Sequence, residues 1–347
     1  MTSQARPALR NTSRILGRRA LLLPGMLAGL MLLVAALMWS ITLGAADITP
    51  QVVYEALFRF EPTNFDHLII QTVRLPRVLS GVAVGAALAV AGAIMQGLTR
   101  NPLADSGILG INSGASLAVV LAVVTLGNPA LSTLSYFALL GAGLAAAAVY
   151  SIGSLGRGGM TPLKLTLAGV ILTAFVSSFT TAILIGDQET LDRIRFWTAG
   201  SLAGRDMALL SQTAPYIVIG LLAAMIISRQ ITTISLGDDV ARGLGQSTFW
   251  VKAVASLVVV LLSGGAVALA GPIGFVGLVV PHLVRFIVGV DYRSIIPYSA
   301  ILGGLLVTLA DVGARIIIRP QEAPVGVMMA LLGAPFFVWL ARWKVKR

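Results

Sequence analysis

Ten apolar stretches follow one another along the chain, separated by short polar connections or by glycine and proline. A bilayer-spanning helix needs about 20 apolar residues, and most of the stretches approach that length. The pattern predicts an all-α polytopic membrane protein with about ten transmembrane helices. We place these helices at residues 20–40, 78–98, 108–126, 131–152, 163–185, 207–228, 249–270, 275–288, 295–317 and 325–341.

Composition supports a membrane protein. Hydrophobic residues make up 57% of the 347 residues and charged residues only 11%, and the mean hydropathy is +0.91. The chain has no cysteine, which excludes disulfides and thiolate metal sites and leaves the redox compartment undetermined.

The N-terminal segment 1–19 is a basic tail ahead of the first apolar run. That run continues from residue 20 to 41, longer than the 7 to 15 residues typical of a signal-peptide core. We therefore predict an uncleaved first helix, with residues 20–347 forming a single transmembrane domain.

The basic residues indicate orientation. An even number of spans puts both termini on one side, and 17 of the 25 lysines and arginines then fall on that side. The positive-inside rule places the termini in the cytoplasm and the protein in the cytoplasmic membrane, in contact with lipid. The net charge of +11 follows this arrangement, so no nucleic-acid partner is expected.

A polar island, residues 234–247, interrupts two apolar runs on the predicted cytoplasmic side. As a helix it would carry Asp238 and Asp239 in its first turn and Arg242 near its end, which complements the backbone dipole. Gly243 and Gly245 would end the helix. The pattern alone fits both a solvated connection and a docking surface for a soluble partner.

Two stretches on the predicted extracytoplasmic side are expected to form short helices outside the spans. Residues 51–60 are predicted to form a short surface helix. Residues 191–206 mix Phe196 and Trp197 with arginines, as expected for a helix in the membrane interface. Such a helix fits both a simple anchor and the lip of a pathway.

Small residues at four-residue spacing predict close helix packing in lipid. Gly81 and Gly85 form one such pair, and Ala89 and Ala93 extend the same face. Of the 37 glycines in the chain, Gly303 and several others also lie within predicted spans. Packing of this kind is the ordinary role of small residues in membrane helices.

The inventory of catalytic residues is thin. No HExxH, GxSxG or GK[ST]-ending phosphate loop occurs, so we predict no catalytic, metal or cofactor site and no ATP binding by this chain. His282 is interpreted as a packing residue. The spans are nearly free of the buried acids that ion-coupled transporters use, except for Asp311, which can pair with Arg315 one helical turn on. Energy for any transport should therefore come from a partner.

Three long segments resemble the FecCD-type permeases, the membrane subunits of ABC importers for ferric siderophores, haem and cobalamin. The segments are RLPRVLSGVAVGAALAVAGAIMQGLTRNPLADSGILGINSGAS from Arg74, ALAGPIGFVGLVVPHLVRFIVG from Ala268 and DVGARIIIRPQEAPVGVMMALLGAPFFVWL from Asp311. The resemblance runs from about Val53 to the C-terminus. It implies ten helices per subunit, a second permease subunit, two cytoplasmic ATP-binding subunits and an extracytoplasmic substrate-binding protein.

The same resemblance implies that the polar island contains a coupling helix, about residues 235–246, that docks on the ATPase. The pattern LGxxxAxxLG and the charged positions within it give the coupling residues Leu236, Gly237, Asp238, Asp239, Ala241, Arg242, Leu244 and Gly245.

The resemblance also implies that Arg74, Arg77 and Arg315 receive acidic residues of the binding protein. From the residues alone, Arg74 and Arg77 also fit interfacial snorkelling, and Arg315 fits a local pair with Asp311. The family's gate corresponds to the fifth span and to residues 191–202. The candidate pathway residues are Thr173, Ser177, Thr180, Thr181 and Trp197. The hydroxyl groups of the first four equally suit bonds to neighbouring backbone.

We therefore expect a permease subunit of a binding-protein-dependent ABC importer for a ferric siderophore, driven by ATP hydrolysis on a separate subunit. Cobalamin or haem import through the same machinery is the alternative within the family. An ion-coupled secondary transporter and a membrane enzyme are the alternatives from other classes.

Overall fold

The computed structural model describes residues 7–44, 48–155, 161–318 and 321–345, and within these ranges the chain is helical with no strand. A π-helical turn, Ile70–Arg74, joins α3 to α4, and a 3₁₀ turn, Ser106–Leu109, precedes α5. The α-helices are α1 Pro7–Thr42, α2 Pro50–Phe58, α3 Phe65–Ile69, α4 Leu75–Thr99, α5 Ile111–Leu126, α6 Leu131–Ser154, α7 Pro162–Gly186, α8 Gln188–Thr198, α9 Met207–Ile226, α10 Ser228–Ser235, α11 Asp238–Gly243, α12 Thr248–Ala270, α13 Val276–Val288, α14 Tyr292–Ile316 and α15 Val325–Val345.

The predicted all-α membrane architecture is confirmed. In the described ranges seven helices are long and apolar enough to cross a membrane, and α5, α13 and the apolar part of α15 are shorter apolar helices. Every predicted span has a matching helix, and the boundaries of the eight internal ones agree within three residues. The number of crossings and the side of the termini stay predictions.

The predicted basic tail, residues 1–19, falls partly outside the described residues. From Pro7 onward it belongs to α1, which continues through the first apolar run to Thr42.

Helix α4 is the centre of the bundle. Of its 25 residues, 21 are buried, and α14, α12 and α13 pack around it. By contrast, only four of the 25 residues of α7 are buried within the chain. Helix α4 is therefore a core element, whereas α7 leaves one side open to lipid or to another subunit.

Glycines set how closely the helices approach α4. A Cβ atom added to Gly85 would lie 2.2 Å from the carbonyl oxygen of Gly303, and one added to Gly92 would lie 2.0 Å from that of Gly277. No side chain fits such gaps, so α14 and α13 pack backbone against backbone on α4. The predicted close packing is confirmed at Gly85, whereas Gly81 faces the side chain of Leu202.

Short helices lie where the sequence predicted helices outside the spans. The prediction at 51–60 corresponds to α2, and the prediction at 191–206 corresponds to α8. Helix α8 ends at Thr198, earlier than predicted, because Gly200 turns the chain with a φ of +74°.

The loop after α8 is fixed to two spans. The Ser201 backbone N–H donates to the Ala270 carbonyl at 2.8 Å, and the Gly326 N–H donates to the Gly200 carbonyl at 3.0 Å. These bonds hold the loop against the end of α12 and the start of α15.

Candidate functional site

The polar island contains one short helix, α11, which is shorter than the helix over about residues 235–246 that the sequence predicted. Helix α10 ends at Ser235 and α11 begins at Asp238. Between them Gly237 adopts φ 125° and ψ 150°, a region that essentially only glycine occupies. Within α11, Asp238 and Asp239 lie in the first turn and Arg242 in the last, as predicted from the dipole.

An exposed apolar stripe runs along the island. Leu236, Val240 and Leu244 are spaced four residues apart and are 64%, 47% and 70% exposed, whereas Ala241 is fully buried and anchors α11. Val240 and Leu244 lie one turn apart on α11 and its C-cap, and Leu236 precedes the break at Gly237. An exposed apolar stripe with charged neighbours is typical of a protein contact surface.

One charge of the island points inward. Lys252 of α12 donates from Nζ to the Asp238 carboxylate at 2.5 Å, and both side chains are largely covered. Asp239 and Arg242 are exposed and form a loose pair at 3.8 Å. The predicted coupling residues therefore divide into a solvent-facing set and an inward-facing set, and the Asp238 pair ties α11 to a long span.

A cavity of about 480 Å³ lies beside the island, lined by Arg100, Arg285, Leu236 and others. Arg285 donates to the side-chain oxygen of Gln96 and to the Tyr292 hydroxyl. The C-terminal ends of α4 and α13 thus meet the island, and we call this end of the bundle the island end.

The opposite end of α4 carries the predicted arginines, and we call it the arginine end. Arg77 donates from Nε and Nη2 to the Asp311 carboxylate at 2.9 to 3.1 Å and from Nη1 to Glu322 at 2.7 Å. Arg315 pairs with Oδ2 of the same carboxylate at 2.9 Å, as the sequence predicted. Asp311 therefore bridges two buried arginines.

Arg74 and Arg315 also hold the end of α1. Arg74 donates from Nη1 to the Ile41 carbonyl at 2.6 Å, and Arg315 donates to the Ser40 and Leu43 carbonyls at 3.0 and 2.9 Å. Carbonyls at a helix C-terminus lack partners within the helix, so cations stabilise them. The structure brings the three predicted docking arginines together, but it encloses them, with 6 to 8% of each residue exposed.

The candidate pathway residues of α7 lie along its poorly covered surface. Ser177 and Thr181 are exposed one turn apart. Thr180 donates to the Val176 carbonyl at 2.9 Å, and Thr173 lies 3.5 Å from the Ser113 hydroxyl. The sequence left open whether these hydroxyl groups bond to neighbouring backbone. Thr180 does so, whereas Ser177 and Thr181 face outward.

Trp197 of α8 is buried, with 6% exposed, whereas its neighbour Phe196 is 56% exposed. The two aromatic residues that the sequence placed together in the interface therefore separate, one into the core and one onto the surface.

Helix α8 begins with a charged cap. The Asp187 carboxylate accepts from the Thr190 hydroxyl at 2.6 Å and from the backbone N–H groups of Glu189 and Thr190. These bonds, led by the one from the Thr190 hydroxyl, lower the pKa of Asp187. The cap fixes the tight turn between α7 and α8.

Comparison with known proteins decides the family. The sequence matches the FecCD transport family over residues 32–343. The chain belongs to this family. As a FecCD protein it is a multi-pass transport protein of the cytoplasmic membrane, with the helices described above as its membrane domain.

Relatives of this FecCD protein include two permeases of Bacillus subtilis (strain 168). The iron(3+)-hydroxamate import system permease protein FhuB is 48% identical over 317 residues, which cover 91% of this chain and 82% of FhuB. The Fe(3+)-citrate import system permease protein YfmD is 45% identical, with 87% and 90% covered. A solved structure of an inward-facing metal-chelate type ABC transporter is 29% identical, with a TM-score of 0.80 and 91% and 98% covered.

Proposed function

We propose that this chain is the permease subunit of an ABC importer that carries a ferric siderophore across the cytoplasmic membrane. The observation that carries the proposal is the apolar stripe of Leu236, Val240 and Leu244, which lies on and beside the short helix α11 between two spans. A soluble ATPase that buries this stripe would act on the membrane domain, and the membrane domain would need no ATP-binding site of its own.

The Asp238 pair gives the coupling a mechanical route. A force on α11 passes through Asp238 to Lys252 on α12, and α12 packs against the central helix α4. Two ATP-binding subunits, one beneath each of two permease subunits, would move these spans between outward and inward access. Differential affinity of ATP for the two states would bias the equilibrium.

The arginine end would receive the substrate-binding protein. Docking on Arg74, Arg77 and Arg315 stays a prediction, and in this conformation it requires exchange, because Asp311, Glu322 and the α1 carbonyls already occupy the three guanidinium groups. The cargo would then pass the polar positions of α7, of which Ser177 and Thr181 are exposed.

The substrate class rests on the relatives. FhuB is named for iron(3+)-hydroxamate and YfmD for Fe(3+)-citrate, at nearly equal identity to this chain. Both cargoes are ferric chelates, which favours a ferric siderophore here. In such importers the binding protein sets affinity, so the particular chelate depends on that partner.

The coupling surface can be tested by charge insertion. We expect Leu244→Asp to reduce co-purification of the ATP-binding subunits by about tenfold or more, because burying an unpaired carboxylate opposes association. Phe58→Asp is the matched control, since Phe58 is 71% exposed at the other end of the bundle. Equal co-purification of both variants would remove the coupling assignment.

The substrate can be tested with the assembled transporter in lipid vesicles. We expect a binding protein loaded with a ferric siderophore to stimulate ATP hydrolysis and uptake, and the same system to be inactive without ATP. Stimulation only by a cobalamin- or haem-loaded protein would change the substrate assignment. Uptake that needs an ion gradient but no ATP would overturn the proposed function.

A further inference from the structure

A second cavity, of about 460 Å³, lies at the arginine end between α8, the loop after it and the start of α15. Arg193, Phe196, Arg205 and Pro324 contribute to its wall, and Glu322 is the acidic residue among its lining residues in the described part of the chain. The backbone bonds that fix the loop to α12 and α15 also fix the shape of this cavity.

Arg205 is a buried cation in the wall of this cavity. Only 6% of the residue is exposed, and its Nε donates to the Ser201 carbonyl at 3.2 Å. Within the described ranges its two terminal amino groups, Nη1 and Nη2, have no hydrogen-bond acceptor and no ion-pair partner. The neighbouring Asp206 uses its carboxylate to cap α9, accepting from the Leu209 N–H at 2.8 Å.

Burial makes the charged form of the Arg205 side chain less favourable. Burial lowers the pKa of Arg205 to about 10, and the charge of Asp206 opposes the change without cancelling it. A guanidinium group presents a planar fork of N–H donors that matches a carboxylate. A buried guanidinium with unused donors at a cavity wall therefore favours binding of an anion there.

The other arginines near the cavity are already bonded. Arg77 is held by Asp311 and Glu322, and Arg193 donates to the Gly127 carbonyl and to Glu189. An incoming carboxylate must break an existing bond at either of them. At Arg205 it meets donors that the described structure leaves unused. Glu322 presents little repulsion, because Arg77 compensates its charge.

We propose that Arg205 receives a carboxylate side chain of the substrate-binding protein in this cavity. The inference rests on the proposed function and adds to it a docking residue separate from Arg74, Arg77 and Arg315. The rim favours a protein over a small anion: Phe196 is 56% exposed, and the Arg195 guanidinium carbon lies 5.1 Å from the centre of its ring. A buried charge surrounded by exposed aromatic and arginine side chains is typical of the centre of a protein interface.

The test measures affinity between the assembled transporter and the loaded binding protein that stimulates its ATP hydrolysis. We expect Arg205→Gln to weaken binding by at least about tenfold, because an interfacial carboxylate loses a desolvated charged partner. Arg205→Lys keeps the charge but loses the fork, and it should fall between wild type and Arg205→Gln.

Arg195→Gln is the matched control, because Arg195 lies on α8 beside the cavity but is 60% exposed on its side chain. We expect it to change affinity by less than about threefold, as rim charges do. Gel filtration and co-purification with the ATP-binding subunits check that each variant is folded. Charge exchange gives a second test: Arg205→Glu should regain affinity with a binding protein whose contacting carboxylate is replaced by arginine.

Unchanged affinity in a folded Arg205→Gln variant would overturn the inference and leave the proposed function intact. Protection of wild type, but not of Arg205→Gln, against thermal unfolding by millimolar citrate, with unchanged binding-protein affinity, would also overturn it and assign the cavity to a small anion. Failure of wild type to bind any loaded binding protein would overturn both proposals.

Discussion

Asp311 is the residue on which the arginine end depends. Its two carboxylate oxygens serve Arg77 and Arg315, and only 4% of its side chain is exposed. Two buried cations share one buried anion, with Glu322 as a further, half-exposed partner of Arg77. Removal of the central charge leaves both arginines without their main compensation.

We expect Asp311→Asn to lower the free energy of unfolding by about 3 to 5 kcal/mol, because breaking a buried pair leaves an uncompensated charge. Glu322→Gln should cost clearly less, since 40% of the Glu322 side chain is exposed and water screens the pair. Denaturant unfolding in detergent measures both variants. Equal losses would contradict the central role of Asp311.

Local spacing explains which of these contacts the sequence predicted. Arg315 lies four residues after Asp311 on one helix, so their pair was predictable. Arg77 and Asp311 are 234 residues apart, and Lys252 is 14 residues from Asp238 across a helix break. Neither contact follows from helix periodicity. The enclosure of Arg74 beneath the end of α1 likewise depends on packing that one sequence does not contain.

Among the helices, glycine determines how closely neighbours approach α4. At Gly85 and Gly303 the two backbones meet with no side chain between them. The prediction of close packing came from the spacing of small residues along one helix. The partner glycines on α13 and α14 became visible only when the helices were placed in space.

We expect Gly85→Ala to destabilise the fold by at least about 1 to 3 kcal/mol, because the added methyl group would overlap the Gly303 carbonyl and push α14 away. Gly143→Ala is the control: Gly143 lies in α6, and an added Cβ there meets nothing within 4 Å. Thermal unfolding and the yield of monodisperse protein compare them. A Gly143→Ala variant as unstable as Gly85→Ala would rule out the packing explanation.

Helix boundaries were predictable where hydropathy changes sharply and less so where backbone geometry decides. The internal spans agree within three residues, because apolar runs end at polar residues or glycines. The island was predicted as one helix over about residues 235–246, and α11 is shorter, because Gly237 in front of it adopts a non-helical conformation. A helix was predicted over residues 191–206, and the turn at Gly200 ends α8 at Thr198.

At the scale of the molecule, the island and the arginines occupy opposite ends of the central helix. Arg77 lies in the first turn of α4, and Arg100 follows its last residue and lies beside Gly237 of the island. The distribution of basic residues predicts that the island end faces the cytoplasm.

The absence of cysteine from the sequence makes this orientation directly testable. We expect Asp239→Cys, at a fully exposed position of α11, to react with a membrane-impermeant maleimide only in inside-out vesicles. Glu61→Cys, at an exposed position between α2 and α3, should react in intact spheroplasts. Labelling of both variants from the same face would contradict the predicted topology.

The exposed surface of α7 has a consequence for the number of permease subunits in the transporter. In the proposed function α7, of which four of 25 residues are buried within its own chain, would supply one wall of a conduit and would need a second protomer for the facing wall. If two identical copies form the conduit, diluting active chains with inactive ones should reduce uptake as the square of the active fraction. A distinct companion chain would make the decline linear.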